Sequence, residues 1–341
     1  MFPLKIAALV LSLTLLAAAQ SPKGEKLVQQ GQAALDAGDF RQAVEDFEQA
    51  RQLSPDSLEA NRGLVLSYLE AGALREAAEV GTRAVARWPK DPRLLHWLGL
   101  VYFKGGQTAR AQDLLQQSAK LESNHAEVHF DLALVLLAQE QYPPAAQELE
   151  QAIKFDSSNP LAHVLLGRAY QNTNRTLPAI EQFRTALRLD PKTPLGHYHL
   201  GFAYASLGRS EEAIAEYEKE LKQGTGNPQV FYRFGHCLLE TGNLSAAVEN
   251  LKKSLALDPN NGDAAYDLGK AWLLDGNLEL AAVSLRQAIS LKPDDPSPHY
   301  QLSRVFERQG EPDKAKLERQ RFLEIKKSQP DTGGMATGRA Q

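Results

Sequence analysis

Four histidines, His129, His163, His197 and His299, recur at the same phase of a 34-residue interval. Imidazole is a common metal ligand, and His125 stands one helical turn before His129, with Glu127 between. Zinc needs several donors within about 2 Å of one ion. The order around Glu127 is not that of a helical zinc-protease motif, and no third ligand accompanies the pair. Residues one interval apart lie at least a helix diameter away, roughly 10 Å, too far to share an ion. These histidines are therefore expected to pack rather than ligate. The pairs Glu211-Glu212 and Asp294-Asp295 fall at helix starts or turns, where carboxylates complement the helix dipole. No Ser-His-Asp set or phosphate-binding glycine motif stands out. Neither catalysis nor a metal or cofactor is expected.

The interval itself is the dominant signal. Alanine returns at Ala43, Ala77, Ala111, Ala145, Ala179, Ala213, Ala247, Ala281 and Ala315, always 34 residues apart. A second ladder of small residues runs through Gly31, Gly99, Gly167, Gly201, Gly235 and Gly269, with Val65, Ala133 and Ser303 on its other rungs. A third holds Gly38, Gly72, Gly106, Gly208, Gly242, Gly276 and Gly310. Nine repeats cover 24–329 without an insertion: 24–57, 58–91, 92–125, 126–159, 160–193, 194–227, 228–261, 262–295 and 296–329.

Each repeat carries two apolar stripes at helical spacing. In "LGFAYASLGRSEEAIAEY", Leu200, Ala203, Tyr204 and Leu207 form one, and Ala213, Ile214, Tyr217 and Leu221 the other. Gly208 between them suits a left-handed helix cap. Pro143, Pro144, Pro178 and Pro312 fall in the first turn of second helices, where a missing N–H matters least. Glycine inside a helix costs about 1 kcal/mol against alanine. Gly201 and Ala213 therefore call for a packing reason, which is close helix approach.

The series His197, Leu200-Gly201, Tyr204, Ala213 and Tyr217, and its neighbour His163, Leu166-Gly167, Tyr170, Ala179, Phe183 and Pro191, resembles the tetratricopeptide repeat family. The resemblance implies an all-α fold, a right-handed superhelical solenoid of nine helix-turn-helix repeats. It also implies that the first helix of each repeat lines a concave face, through places two, five, six, nine, twelve and thirteen. On that reading repeats two to four present an apolar strip of Leu66, Leu69, Trp97, Leu100, Phe103, Phe130, Leu134 and Leu137. Exposed apolar strips mark interaction sites, the alternative being packing within the chain. Repeats five to nine present Tyr198, Tyr232, Tyr266 and Tyr300 in one column. Arg168, Phe202, His236, Lys270 and Arg304 stand in another, with Arg233 nearby. Tyrosine and arginine are favoured contact residues. The column of tyrosines also matches the family's common choice, so packing alone explains it equally well. Chaperone-binding relatives hold carboxylates with a Lys, Asn, Asn, Lys, Arg set over three repeats. No three consecutive repeats here carry it: Arg62, for instance, is followed by Leu66 where Asn is needed.

Charge is nearly balanced, 38 basic against 42 acidic residues, which disfavours a nucleic-acid partner. Cys237 is the single cysteine, so no internal disulfide forms. It takes a place filled by alanine in four of the other eight repeats, as expected of a buried small residue.

The N-terminus reads as a signal peptide over 1–19: Lys5, an apolar run from Ile6, then Ala17-Ala18-Ala19, with cleavage between Ala19 and Gln20. An uncleaved membrane anchor is the alternative. Residues 20–23 read as a short linker. The charged "DKAKLERQRFLEIKKSQ" suits a capping helix, and 330–341 read as a disordered tail. The sequence thus predicts an exported, non-catalytic scaffold of the periplasm or medium that holds a protein or peptide. Self-association and glycan binding by the tyrosine column are the alternatives.

Overall fold

A computed structural model describes residues 22–224 and 226–328. Among them are eighteen α-helices and no strand. The chain divides between Ser157 and Ser158 into two compact units. Helices of the first unit are α1 (Pro22–Asp36), α2 (Phe40–Leu53), α3 (Leu58–Glu70), α4 (Leu74–Arg87), α5 (Pro92–Lys104), α6 (Thr108–Leu121), α7 (Ala126–Ala138) and α8 (Tyr142–Phe155). The second unit holds α9 (Pro160–Asn172), α10 (Thr176–Leu189), α11 (Gly196–Ser206), α12 (Ser210–Lys222), α13 (Pro228–Glu240) and α14 (Leu244–Leu257). It continues through α15 (Gly262–Asp275), α16 (Leu278–Leu291), α17 (Ser297–Arg308) and α18 (Pro312–Ser328).

Odd-numbered helices are the first of each repeat and even-numbered ones the second. Polar side chains start many of them. Asp39, Ser57, Asp91, Asn159, Asn227, Asn243, Asn261 and Asn277 each accept a backbone N–H of the following first turn. Each such cap stabilises its helix by about 1 kcal/mol. Between the helices of a hairpin the chain turns through a left-handed residue. Gly208 takes φ +72° there, and Glu140 and Asn174 hold φ 57° and 58° at the same place in their own repeats. Asparagine tolerates that backbone, whereas for glutamate it costs about 1–2 kcal/mol.

The alanine ladder lies at the centre of the hairpins. Ala43, Ala77, Ala111, Ala145, Ala179, Ala213, Ala247 and Ala281 are all 0% exposed, and Ala315 is 3% exposed. Across the crossing, a methyl group added at Gly201 would meet the Tyr217 ring at 2.9 Å and the Ala213 carbonyl oxygen at 3.2 Å. At Gly167 it would meet the Phe183 ring at 2.5 Å. Large side chains of the second helix fill the space left by small ones of the first. Tyr217 and Phe183 are both 0% exposed, and burial of such a side chain contributes about 1.5–3 kcal/mol.

Within the first unit, successive first helices pack on one another (α1 on α3, α3 on α5, α5 on α7), as do α9, α11, α13, α15 and α17 within the second. Successive second helices show no comparable packing in either unit. The first helices are therefore the inner layer of each unit.

One boundary differs from the sequence reading. Pro22 and Lys23, placed in a linker, open α1, because proline is well accommodated in a first helical turn. The signal segment 1–19, its Ala19–Gln20 junction and the tail 330–341 lie outside the described residues. No described helix is long and apolar enough to cross a membrane.

Gly167→Ala tests the crossing. Helix propensity alone favours alanine by about 1 kcal/mol, but overpacking against Phe183 costs about 1–3 kcal/mol. A net loss is expected in urea unfolding followed by circular dichroism. A variant as stable as wild type, or more stable, contradicts the close-approach account.

Candidate functional site

The apolar strip of the first unit is shallower than its sequence suggests. Leu69 is 1% exposed and belongs to a core cluster with Ala77, Leu98 and Val101. It offers no contact surface, a correction to its assignment to the groove. The reason is that the next hairpin closes over the end of α3. Leu66, Trp97 and Leu100 are half-buried against that same cluster. Phe103 and Leu137 are half-buried against another cluster, built on Leu115 and Leu132. Phe130 and Leu134 are also half-buried.

The second unit presents more. Arg168 on α9 and Arg304 on α17 are exposed, and Phe202, His236 and Lys270 are half-buried. Tyr198, Tyr232 and Tyr266 are half-buried, while Tyr300 is 44% exposed over Phe322. The Arg233 guanidinium lies 4.9 Å from the centre of the Phe202 ring and 5.2 Å from that of Tyr232. His236 is already engaged: its Nδ1 lies 2.7 Å from Asp267 Oδ2, joining α13 to α15. That hydrogen bond raises its pKa against the opposing effect of burial. Burial pushes the Tyr232 hydroxyl up to about 12, so it stays protonated and neutral. Burial likewise raises the Cys237 thiol to about 11, which leaves it unreactive at neutral pH.

Several polar contacts that hold this face were not read from the sequence. His129, His197 and His299 each place Nδ1 2.5–2.6 Å from a carboxylate of the partner helix, on Glu148, Glu216 and Glu318. His163 does the same with the Gln182 amide oxygen at 2.8 Å. Each partner lies nineteen residues downstream, and only these four repeats carry Glu or Gln at that place. That covariation was the available signal. His129 also has Nε2 3.0 Å from the Ser123 carbonyl oxygen, so both its ring nitrogens are committed. Among the described residues no group of three His, Cys, Asp or Glu side chains is placed to hold a metal.

The start of α11 is a second case. Its cap is Leu195 at φ 58°, which offers no side-chain acceptor. Glu220 of α12, 3% exposed, supplies one instead by accepting the Tyr198 N–H at 3.1 Å. Burial raises this carboxyl while backbone N–H groups pull it down, and burial prevails. Glu216 goes the other way: burial opposes its charge, but bonds from His197 and Lys219 outweigh it and lower its pKa.

A tetratricopeptide repeat family model matches residues 28–92, 164–228 and 232–296, more than half of the chain. The chain belongs to the tetratricopeptide repeat family. A second repeat model matches 133–174, and one for anaphase-promoting complex, cyclosome, subunit 3 matches 70–152. Among curated relatives, the Photosystem I assembly protein Ycf3 of Prochlorococcus marinus (strain MIT 9211) is 29% identical over 92 residues, which are 26% of this chain and 53% of that protein. Its counterpart in strain MIT 9313 is 31% identical over 101 residues, 29% of this chain and 58% of that protein. The chain thus spans about half the length of the curated relatives it matches.

Two solved structures support the repeat fold. The APC/C hetero-tetramer Cut9-Hcn1 aligns over 82% of this chain and 55% of its own, with TM-score 0.55 and 16% identity. A tetratricopeptide repeat protein from Parabacteroides merdae ATCC 43184 aligns over 74% and 99%, with TM-score 0.51 and 17% identity.

In repeat six a half-buried histidine packs among aromatic rings. His199 stacks 5.6 Å from Phe183 and lies 5.2 Å from Tyr198. Burial, assisted by Arg168, lowers its pKa to about 4, so the charge on this part of the face is that of Arg168. The folded chain resists protonation that the unfolded chain accepts below about pH 6.5. Stability is therefore lost as the pH falls from 6.5 towards 4, by about 2–3 kcal/mol at pH 4.5. His199→Leu is expected to lose distinctly less urea stability than wild type between pH 7 and 4.5. Equal losses in the two proteins contradict this role.

Proposed function

We propose that the protein is a non-catalytic scaffold that holds a protein or peptide partner along the concave, first-helix side of its repeats. The observation that carries this reading is the surface of the second unit. There Phe202, Tyr232 and Arg233 meet in one stacked group, between Arg168 on one side and Lys270 on the other. Aromatic and arginine side chains give large contact area with hydrogen bonding, which is how interface anchors work. The half-buried strip of Leu66, Leu100 and Leu134 is a secondary contact in the first unit. The word "assembly" in the name of the Ycf3 relatives accords with a role exercised through protein contacts.

Export is a further part of the reading. It rests on the signal-like order of residues 1–19 and places the scaffold in the periplasm or outside the cell.

The test is site-specific photo-crosslinking in the native envelope, with benzoylphenylalanine in place of Tyr266 or Tyr300. Controls carry it in place of Leu177 or Val283, which are 65% and 60% exposed on second helices. Adducts to a common partner from the first two positions and none from the controls are expected. Capture from the control positions alone, or equally from all four, contradicts the assignment of the face.

A further inference from the structure

The acidic residues of the second unit are unevenly placed. Helices α9 and α11 contain no aspartate or glutamate, and α13 has only Glu240 at its end. By contrast, α12 alone carries five glutamates. Glu240 is occupied, within 3.5 Å of His236 and accepting from Ser210. Asp267 and Asp263, on the adjoining α15, pair with His236 and Lys292. The surface formed by α9, α11 and α13 is therefore basic, and the carboxylates beside it are already taken.

Arg233 is the centre of that surface. Among the described residues it makes no hydrogen bond or ion pair, and its Nε is buried without a partner. Many other cations of the second unit have carboxylates within reach: Arg184 pairs with Glu181, Lys219 with Glu216 and Lys253 with Glu249. Arg233 has two aromatic rings instead. The N–H groups of a guanidinium lie in its plane, where they match both oxygens of a carboxylate at once. A guanidinium held beside two rings is also restrained before any ligand arrives, which lowers the cost of ordering it. The Tyr217 hydroxyl is also buried and has no hydrogen-bond partner.

We infer that Arg233, walled by Phe202 and Tyr232, is the anchor for a side-chain carboxylate of an acidic peptide segment lying across α9, α11 and α13. This rests on the peptide-binding reading above and adds the chemical class of the occupant. Arg168, exposed on α9 and without a carboxylate partner, extends the same attraction along the segment. Single-site carboxylate recognition of this kind differs from the two-carboxylate set of chaperone-binding relatives, whose residues are absent here.

A library of random dodecapeptides displayed on phage, selected on the full chain, tests the inference. Wild-type protein is expected to enrich peptides rich in Asp and Glu, and Arg233→Gln to lose that enrichment. The leading peptide is then labelled and its affinity measured by fluorescence anisotropy. Its counterpart with Asn and Gln for Asp and Glu is expected to bind at least about tenfold more weakly to wild type, the scale of one charged hydrogen-bonded contact. Arg233→Lys is expected to recover only part of the loss, because lysine lacks the planar fork. The amide counterpart needs no variant, so the test stands even where a substitution perturbs folding. Enrichment of neutral or basic peptides, or equal affinity for the acid and amide forms, overturns the inference and leaves the peptide-binding reading intact. No enrichment of any peptide overturns both.

Discussion

Everything in this fold depends on how closely the two helices of a hairpin approach. The contact is made where a small residue of the first helix faces a large one of the second, with the ladder alanine beside it. Eight of those alanines have no exposed surface at all, and the methyl group missing at Gly167 or Gly201 is the space that Phe183 or Tyr217 fills. Because that crossing is tight, each hairpin is thin, and a thin hairpin lets the next first helix pack directly on the last. The inner layer of first helices follows from it, and so does a face on which side chains from successive repeats stand in rows.

That face is divided by what the second helices supply. In the second unit the glutamates lie mostly on second helices, where they pair with neighbouring cations or bond the histidines of the same hairpin. The exposed pairs among them contribute little to stability individually. More consequential is where the acid lies, because α9, α11 and α13 are left short of it. Arg233 thereby keeps a charge that no carboxylate among the described residues neutralises, and it lies beside Phe202 and Tyr232.

Much of this was legible in the sequence. The fold follows from a period of 34 residues kept without interruption, since an alanine at every interval leaves few other architectures. Depth was harder to read. The helical pattern puts Leu66 and Leu69 on the same side of α3, yet Leu69 sinks into the core while Leu66 stays half-exposed. That difference is made by the neighbouring hairpin and not by the helix itself. The Glu220 cap was hidden for a similar reason, because its acceptor lies twenty-two residues from the N–H it serves. The left-handed turn is held at Glu140 and Asn174 without glycine, which the glycine ladder alone does not reveal. Phe202, Tyr232 and Arg233 each stand out in the sequence, but the stacking that brings them together required three dimensions.

On the reading proposed above, recognition belongs to the first helices of the second unit and structure to the second helices. Hydrogen exchange on the full chain, read by mass spectrometry with and without a bound peptide, addresses it directly. Added protection is expected in α9, α11 and α13 and none in α10, α12 and α14. Protection confined to the second helices, or spread evenly over both sets, would contradict it.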